Sequence, residues 1–145
     1  MENLIWLIPI LPLLGFFILG LGASTLPKGA AGVIGCASVV IAFALSIGLA
    51  GTVFANGGLE QNLFTWVSSG TWSVNFGFLV DPLSLIMMLV ITGVGSLIHI
   101  YSTGYMHDDE RHNYFFAYLN LFIFFMLLLV MSNNYLLLFA GWEGV

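Results

Sequence analysis

Long apolar runs separated by short polar turns dominate this sequence from its fourth residue onward. The runs cover residues 4–26, 30–54, 82–104, 114–131 and 134–145. A helix rises about 1.5 Å per residue, so about twenty apolar residues cross a hydrocarbon core of ~30 Å. The pattern therefore predicts an all-α polytopic membrane protein, with four complete transmembrane helices and the first half of a fifth.

The fifth run, residues 134–145, reaches only about half the length that a membrane crossing needs. We therefore expect the chain to be the N-terminal part of a longer membrane protein, with residues 1–145 forming a single membrane domain. Between the second and third runs, the β-prone segments 63–67 and 72–76 flank the turn residues 68–71. This arrangement predicts a short β-hairpin at the membrane surface, packed against a neighbouring segment or subunit because an open strand edge cannot lie in lipid.

The ends of the predicted helices carry orientation and capping signals. Asp81 precedes Pro82 at the start of the third helix, where a carboxylate can accept hydrogen bonds from free backbone N–H groups. A proton-pathway role for Asp81 is the alternative. The only basic residues, Lys28 and Arg111, lie in the turns after the first and third runs, on one side of the membrane. The positive-inside rule places that side in the cytoplasm, so the N-terminus and the hairpin are predicted to be extracytoplasmic.

Composition narrows the possible functions further. Hydrophobic residues make up 60% of the chain and charged residues 6%, whereas soluble domains have about 25% charged residues. Two basic residues cannot form the positive patch that a nucleic-acid partner requires. The single cysteine, Cys36, excludes an intramolecular disulfide, and no Cys/His spacing typical of a metal site occurs. The sequence also contains no nucleophile–base motif or phosphate-binding glycine loop, which argues against a catalytic centre within this chain.

One carboxylate, Glu143, lies deep within the last apolar run. It is about nine residues beyond Asn134, or ~13 Å along a helix axis, near the middle of a bilayer. An ionisable group at that depth costs at least a few kcal/mol and needs a partner, a proton or a wet cavity. The residue is therefore either a permanently protonated packing group or a proton-transfer group.

Two further polar residues interrupt the apolar runs. His99 lies about seventeen residues into the third helix, ~25 Å along its axis, and is either a hydrogen-bonded structural residue or part of a proton path. Asn120 in the fourth helix is predicted to form an interhelical hydrogen bond, with a water path as the alternative. Residues 105–113 contain acids and histidines, but their adjacent charges point in different directions, which favours a solvated loop over a metal site.

Several segments together resemble a known family. Residues 81–84 open the third helix with Asp-Pro-Leu-Ser, residues 93–102 close it with a glycine-rich segment and His99, and residues 141–145 read Gly-Trp-Glu-Gly-Val. In this combination they resemble the antiporter-like subunits of respiratory complex I, above all the distal one. The large subunit of multisubunit sodium/proton antiporters is similar. The resemblance covers essentially the whole chain, but only the first five of the family's many helices.

The resemblance implies a proton-translocating subunit of NADH:quinone oxidoreductase in a bacterial inner membrane. It implies that Glu143 is the family's fifth-helix glutamate, which faces a lysine on a later helix, and it leaves the role of His99 open. It implies no cofactor in this chain, since FMN, iron–sulfur clusters and quinone belong to other subunits. The implied partners are the neighbouring antiporter-like subunit, other membrane subunits of the complex and the lipid bilayer. A sodium/proton antiporter subunit, or a structural membrane piece without its own activity, remain the alternatives.

Overall fold

A computed structural model describes residues 5–22, 24–25, 27–105, 112–132 and 134–145. In these ranges the chain forms five helices and one two-stranded sheet. In chain order these are α1 (Leu7–Leu21), α2 (Lys28–Asn56), β1 (Leu59–Ser69), β2 (Trp72–Val80), α3 (Pro82–Tyr105), α4 (His112–Met131) and α5 (Tyr135–Gly144).

Three helices of the described chain are long and apolar enough to cross a membrane. They are Gly29–Ala55, Pro82–Tyr105 and Asn113–Met131. Their outward faces carry large exposed apolar side chains, such as Val33, Leu97 and Tyr118, as expected for surfaces that face lipid. The chain is therefore a multi-pass membrane protein, and the predicted second, third and fourth helices match α2, α3 and α4 to within two residues at either end.

The first helix is shorter than predicted. In place of residues 4–26, α1 has 15 residues, or ~22 Å, which is less than a hydrocarbon core. Its last turn closes where the Gly22 N–H donates to the Ile18 carbonyl, and the Thr25 hydroxyl then donates to the Gly22 carbonyl in a turn. Apolar composition alone did not reveal this stop, because glycine and small polar residues allow the chain to turn within an apolar run. Residues 4, 23 and 26 of the predicted helix lie outside the described ranges.

The helices pack into a bundle in which α4 is the common neighbour. It contacts α1, α2, α3 and α5, while α2 also packs against α1 and α3. Apolar side chains from these elements and the hairpin form one large core, to which Ile8, Leu49, Met88 and Leu127 belong. A smaller core joins the other end of α1 to α2 and α4 through Leu19, Ala31, Phe116 and Ala117.

The predicted hairpin is present, and its strands are longer than predicted. The strands are antiparallel, with pairing from Leu59↔Val80 to Ser69↔Trp72, and Gly70 in the turn has a φ of +60°. Two register shifts, between Asn62 and Phe64 and between Thr65 and Val67, break the simple alternation of side chains. Such bulges bend a strand, and the sequence pattern marked only the middle of β1 and the first half of β2.

The hairpin is attached to the turn between α4 and α5. Phe78 is buried and forms an isolated bridge with Ser132, and the Asn134 side-chain amide donates to the Asn75 carbonyl at 2.6 Å. Asn134 also caps α5, because its Oδ1 accepts from the Leu137 N–H at 2.8 Å. One residue therefore sets both the start of α5 and its position against the sheet.

The capping role predicted for Asp81 is confirmed. Its Oδ1 accepts from the Ser84 N–H at 2.7 Å at the first turn of α3. This bond favours the charged carboxylate and lowers the pKa of Asp81 below its ordinary value of 3.8, although partial burial opposes the shift. The hairpin thus leads into α3 through a capped helix start.

Candidate functional site

One face of α3 carries a column of buried polar side chains through the middle of the bundle. Thr92, Ser96, His99 and Ser102 are all buried, and they recur at intervals of three or four residues, so they share one helical face. A polar column inside a membrane helix bundle is the kind of arrangement that marks a pathway or a hydrogen-bonded junction. Only His99 of this column was predicted from the sequence; the signal for the other three residues is their spacing of three or four residues.

The first two hydroxyls of this column donate hydrogen bonds to the backbone of their own helix. The Thr92 Oγ1 donates to the Met88 carbonyl at 2.7 Å, and the Ser96 Oγ donates to the Thr92 carbonyl at 2.6 Å. Each hydroxyl proton is therefore held by a backbone carbonyl one turn earlier, while the oxygen keeps lone pairs that can accept a further hydrogen bond.

His99 is fully buried and contacts both its own helix and α4. Its Nδ1 donates to the Gly95 carbonyl at 2.7 Å, and its Nε2 lies 2.8 Å from Asn120 Oδ1. The Phe116 ring lies against the imidazole, with 5.9 Å between ring centroids. Both ring nitrogens are thus paired within the bundle, and the predicted interhelical hydrogen bond of Asn120 is confirmed.

The other end of the Asn120 amide has no partner within the described part of the chain. Its Nδ2 is buried and unbonded, and it lies against Gly15 of α1. A methyl group at position 15 would collide with Nδ2 and would lie 3.0 Å from Ser38 Oγ of α2. Gly15 therefore leaves room beside α1 for the Asn120 amide of α4 and the Ser38 side chain of α2. Gly15 and Ser38 were not predicted from the sequence, since the sequence of one apolar helix does not show which other helix packs against it.

Glu143 lies on a different surface of the molecule. On α5, Gly141 packs against the backbone of Leu129, where an added Cβ would lie 2.7 Å from the Leu129 nitrogen. Gly144 lies against the ring of Phe125 on the same side. Glu143 is about 200° around the helix from Gly141, is exposed, and makes no hydrogen bond or ion pair within the described residues.

The two residues predicted as proton-translocation sites are therefore not brought together. His99 points into the bundle from α3, whereas Glu143 points away from α4. Measured from the hairpin end, where α3 and α5 both begin, Glu143 lies ~12 Å and His99 ~25 Å along its helix. A proton that used both residues would need further groups or water between them.

No group of three or more His, Cys, Asp or Glu side chains converges on a metal-sized site among the described residues. Residues 106–111 of the acidic and histidine-containing segment, for which the sequence predicts a solvated loop, lie outside the described ranges.

Comparison with known proteins connects these features to a family. Residues 66–116 match the family model described as NADH-ubiquinone oxidoreductase (complex I), chain 5 N-terminus. NADH-quinone oxidoreductase subunit L of Mycobacterium tuberculosis (strain CDC 1551 / Oshkosh) is 46% identical over 97% of this chain, and the Escherichia coli K12 subunit L is 41% identical over 99%. Chain 5 of the NADH-ubiquinone oxidoreductase of Podospora anserina is 45% identical over 94%.

The chain spans about a quarter of the length of these curated relatives: 23%, 24% and 21%, respectively. The matches nevertheless extend over nearly the whole chain, including both the α3 column and the segment around Glu143. They confirm the resemblance stated from the motifs: this chain is similar to the subunit L proteins of NADH-quinone oxidoreductase and the chain 5 proteins of NADH-ubiquinone oxidoreductase.

Proposed function

We propose that this chain is part of a proton-translocating membrane subunit of NADH:quinone oxidoreductase, and that Glu143 transfers protons in it. One observation carries the proposal. Glu143 is a carboxylate within an apolar helix, and its own neighbours in the described chain turn it outward rather than pairing it. Since a bare carboxylate facing lipid costs at least a few kcal/mol, a further protein segment, a cation or water must cover this face.

A covered carboxylate can switch between holding and releasing a proton. Desolvation favours its neutral form, and a nearby cation favours its charged form. A cation a few ångströms away contributes on the order of 4 kcal/mol at an effective dielectric near 20, equivalent to about three pKa units. Movement of such a partner is sufficient to load and unload the carboxylate near neutral pH. Quinone reduction, which relies on cofactors in other subunits, would drive that movement.

The test is Glu143→Gln in the native membrane assembly. The amide keeps the size and polarity of the side chain but cannot ionise, so we expect normal assembly and a reduced number of protons pumped per electron. Glu60→Gln is the matched control, because Glu60 is an exposed carboxylate on β1, outside the helices. An unchanged proton-to-electron ratio in Glu143→Gln would contradict the proposed role.

The names of the relatives favour complex I over a sodium/proton antiporter. The same assay distinguishes the two, since an antiporter subunit would show sodium-dependent proton movement without quinone reduction. The proposed orientation, with the hairpin outside and Lys28 inside the cell, is supported by the positions of the basic residues. Labelling of a cysteine placed at Ser69, at the hairpin tip, by a membrane-impermeant reagent in intact cells would test that orientation.

A further inference from the structure

Asn134 uses both ends of its side-chain amide, and the two partners belong to different parts of the fold. Its Oδ1 accepts from the Leu137 N–H at 2.8 Å, within the first turn of α5. Its Nδ2 donates to the Asn75 carbonyl at 2.6 Å, on strand β2 of the hairpin. The second bond joins residues 59 positions apart in the chain. The start of α5 is therefore attached directly to the sheet.

The two partners determine which way the amide faces. A backbone N–H can only donate and a backbone carbonyl can only accept, so Oδ1 must face Leu137 and Nδ2 must face Asn75. Turning the amide over would place two donors together at one end and two acceptors together at the other, and both bonds would be lost. The orientation of Asn134 thus follows from its main-chain partners.

Capping alone does not require asparagine at this position. An N-cap needs one oxygen that accepts from a free N–H, and serine, threonine and aspartate also supply it. The amide adds a donor beside the acceptor, and here that donor bonds the hairpin. A carboxylate has no donor, and a serine hydroxyl is a single atom that cannot lie beside both partners. The bond to the sheet can therefore be removed while the cap is kept.

Helix α5 has few other attachments among the described residues. Of the described elements, only α4 packs extensively against it. This contact runs along one side, where Gly141 and Gly144 lie against Leu129 and Phe125. The angle between packed helices is set by side chains of one helix that fit between those of the other, and glycine has no side chain to supply. The bond from Asn134 to the hairpin therefore adds a second attachment at the end where α5 begins.

The neighbouring bridge between Phe78 and Ser132 attaches a different helix to the hairpin. Ser132 directly follows the last residue of α4, and its backbone pairs with Phe78 of β2. The Ser132 hydroxyl donates to the Leu129 carbonyl, also in α4, at 2.9 Å. These bonds hold the end of α4, whereas the bond from Asn134 holds the start of α5.

A small change of direction at Asn134 produces a large displacement at Glu143. Glu143 is about nine residues beyond Asn134, or ~13 Å along the helix axis. A rotation of α5 by about 10° around its start moves a group at that distance by ~2 Å. Functional groups must be held to within about 0.5 Å of their working geometry. The direction of α5 therefore decides whether Glu143 can meet its proton-exchange partner.

We propose that Asn134 is a positioning residue: by bonding the hairpin and capping α5 with one amide, it sets the direction of α5 and thereby the place of Glu143 in the membrane. The effect on pumping rests on the proposed function of Glu143. The effect on the direction of α5 does not.

The experiment removes one of the two bonds in the native membrane assembly. Genetically encoded spin-labelled residues replace Ser69 at the hairpin tip and Phe139 on the exposed side of α5, and pulsed electron paramagnetic resonance measures the distance between them. In Asn134→Ser the cap remains and the bond to the hairpin is lost. We expect the mean distance to shift, or its distribution to broaden, by about 2 Å or more. Asn134→Asp should behave alike, because an ionised carboxylate cannot donate to the Asn75 carbonyl.

Two variants in the same region are matched controls. Ser132→Ala removes a hydroxyl that donates to the Leu129 carbonyl and leaves both bonds of Asn134 in place. Asn75→Ala removes a side chain but keeps the backbone carbonyl that accepts from Asn134. Both controls should therefore keep the distance distribution of the wild type.

The number of protons pumped per electron separates positioning from folding. In the assembled complex, both Asn134 variants should lose about half or more of the pumping that Glu143→Gln loses, because small misplacements of reacting groups are costly. Ser132→Ala and Asn75→Ala should keep the normal ratio. A residue needed only for folding would lower the yield of the complex or its thermal unfolding midpoint, while the complexes that do assemble would pump normally.

An unchanged distance distribution in both Asn134 variants would overturn the proposal, as would equal broadening in the two controls. A normal pumping ratio in the Asn134 variants, beside a reduced ratio in Glu143→Gln, would also overturn it. A normal ratio in Glu143→Gln itself would remove the proposed function, while broadened distances in the Asn134 variants would still assign the direction of α5 to Asn134.

Discussion

The interior of the helix bundle and the outer face of α5 each carry a titratable group within an apolar helix, but they treat it differently. His99 is fully covered, and both of its ring nitrogens are hydrogen-bonded to residues of this chain. Glu143 is exposed and has no partner among the described residues. The first group is complete within one bundle, whereas the second requires something beyond it. The presence of a polar residue in a membrane helix thus does not show whether its partner lies in the same helix bundle.

The small residues around the two groups show the same contrast. Near His99, Gly15 leaves room for the amide of Asn120, the residue that is hydrogen-bonded to His99. On α5, Gly141 and Gly144 allow this helix to approach Leu129 and Phe125 of α4 closely. These glycines therefore pack the two helices together and leave Glu143 on the opposite side of α5. Close backbone approach at small residues is a common way to join helices in lipid.

The largest predicted effect tests the orientation of α5. In Gly141→Ala the new methyl group would lie 2.7 Å from the Leu129 nitrogen and 2.9 Å from its Cα. Backbone atoms cannot rotate away, so α5 must shift from α4, at a cost of about 1–3 kcal/mol and towards the upper end of that range. The thermal unfolding midpoint of the detergent-solubilised assembly measures the loss.

Gly51→Ala provides the control for this change. Gly51 is exposed on α2 with nothing within 4 Å of the added methyl group, so alanine should be neutral or stabilising by about 0.5–1 kcal/mol. Equal midpoints for the two variants would mean that Gly141 does not face α4, and the outward position of Glu143 would lose its basis.

A smaller effect tests whether the His99 pair is complete within the bundle. His99→Leu leaves Asn120 Oδ1 buried without its partner, which costs about 1–3 kcal/mol. The double variant His99→Leu/Asn120→Leu replaces both partners with apolar groups and should recover much of the loss, because matched removal of a buried pair is nearly neutral. The thermal unfolding midpoints of wild type and of the single and double variants form a double-mutant cycle. Strictly additive losses of stability would show that the two side chains do not interact.

The smallest expected effect concerns Asp81, a carboxylate that, unlike Glu143, has a hydrogen-bond partner in the described chain. The Ser84 N–H holds the pKa of Asp81 below 3.8, so the folded state binds this proton less tightly than the unfolded state does. Its stabilising contribution is therefore full above about pH 4 and is lost as the pH falls through the lowered pKa. After screening by solvent, we expect at most about 0.5 kcal/mol.

Asp81→Asn isolates this charge, because the amide oxygen can still accept from the Ser84 N–H. Wild type should be slightly more stable than Asp81→Asn near neutral pH, and the difference should shrink as the pH falls below about 4. Unfolding midpoints of both proteins across that range measure it. A difference that grows with acidity would contradict the capping role of the charged form.

Much of the architecture was predictable because it depends on local sequence. Long apolar runs specify α2, α3 and α4, a glycine-containing turn specifies the hairpin, and Asp81 caps α3. Membrane helices are especially easy to predict from sequence, since each satisfies its own backbone hydrogen bonds and needs about twenty apolar residues to cross the bilayer. The segments at residues 81–84, 93–102 and 141–145 together predicted the resemblance to complex I subunits, and the relatives confirm that similarity.

The partner of each polar residue was decided by tertiary structure alone. The sequence predicted that Asn120 bonds between helices, but not that His99 is its partner, nor that Gly15 of α1 lies beside the amide. The same holds for Glu143, whose outward direction follows from the packing of two glycines on α4. A sequence determines which residues lie together on one helix, whereas the rotation and neighbours of that helix depend on contacts between residues far apart in the chain.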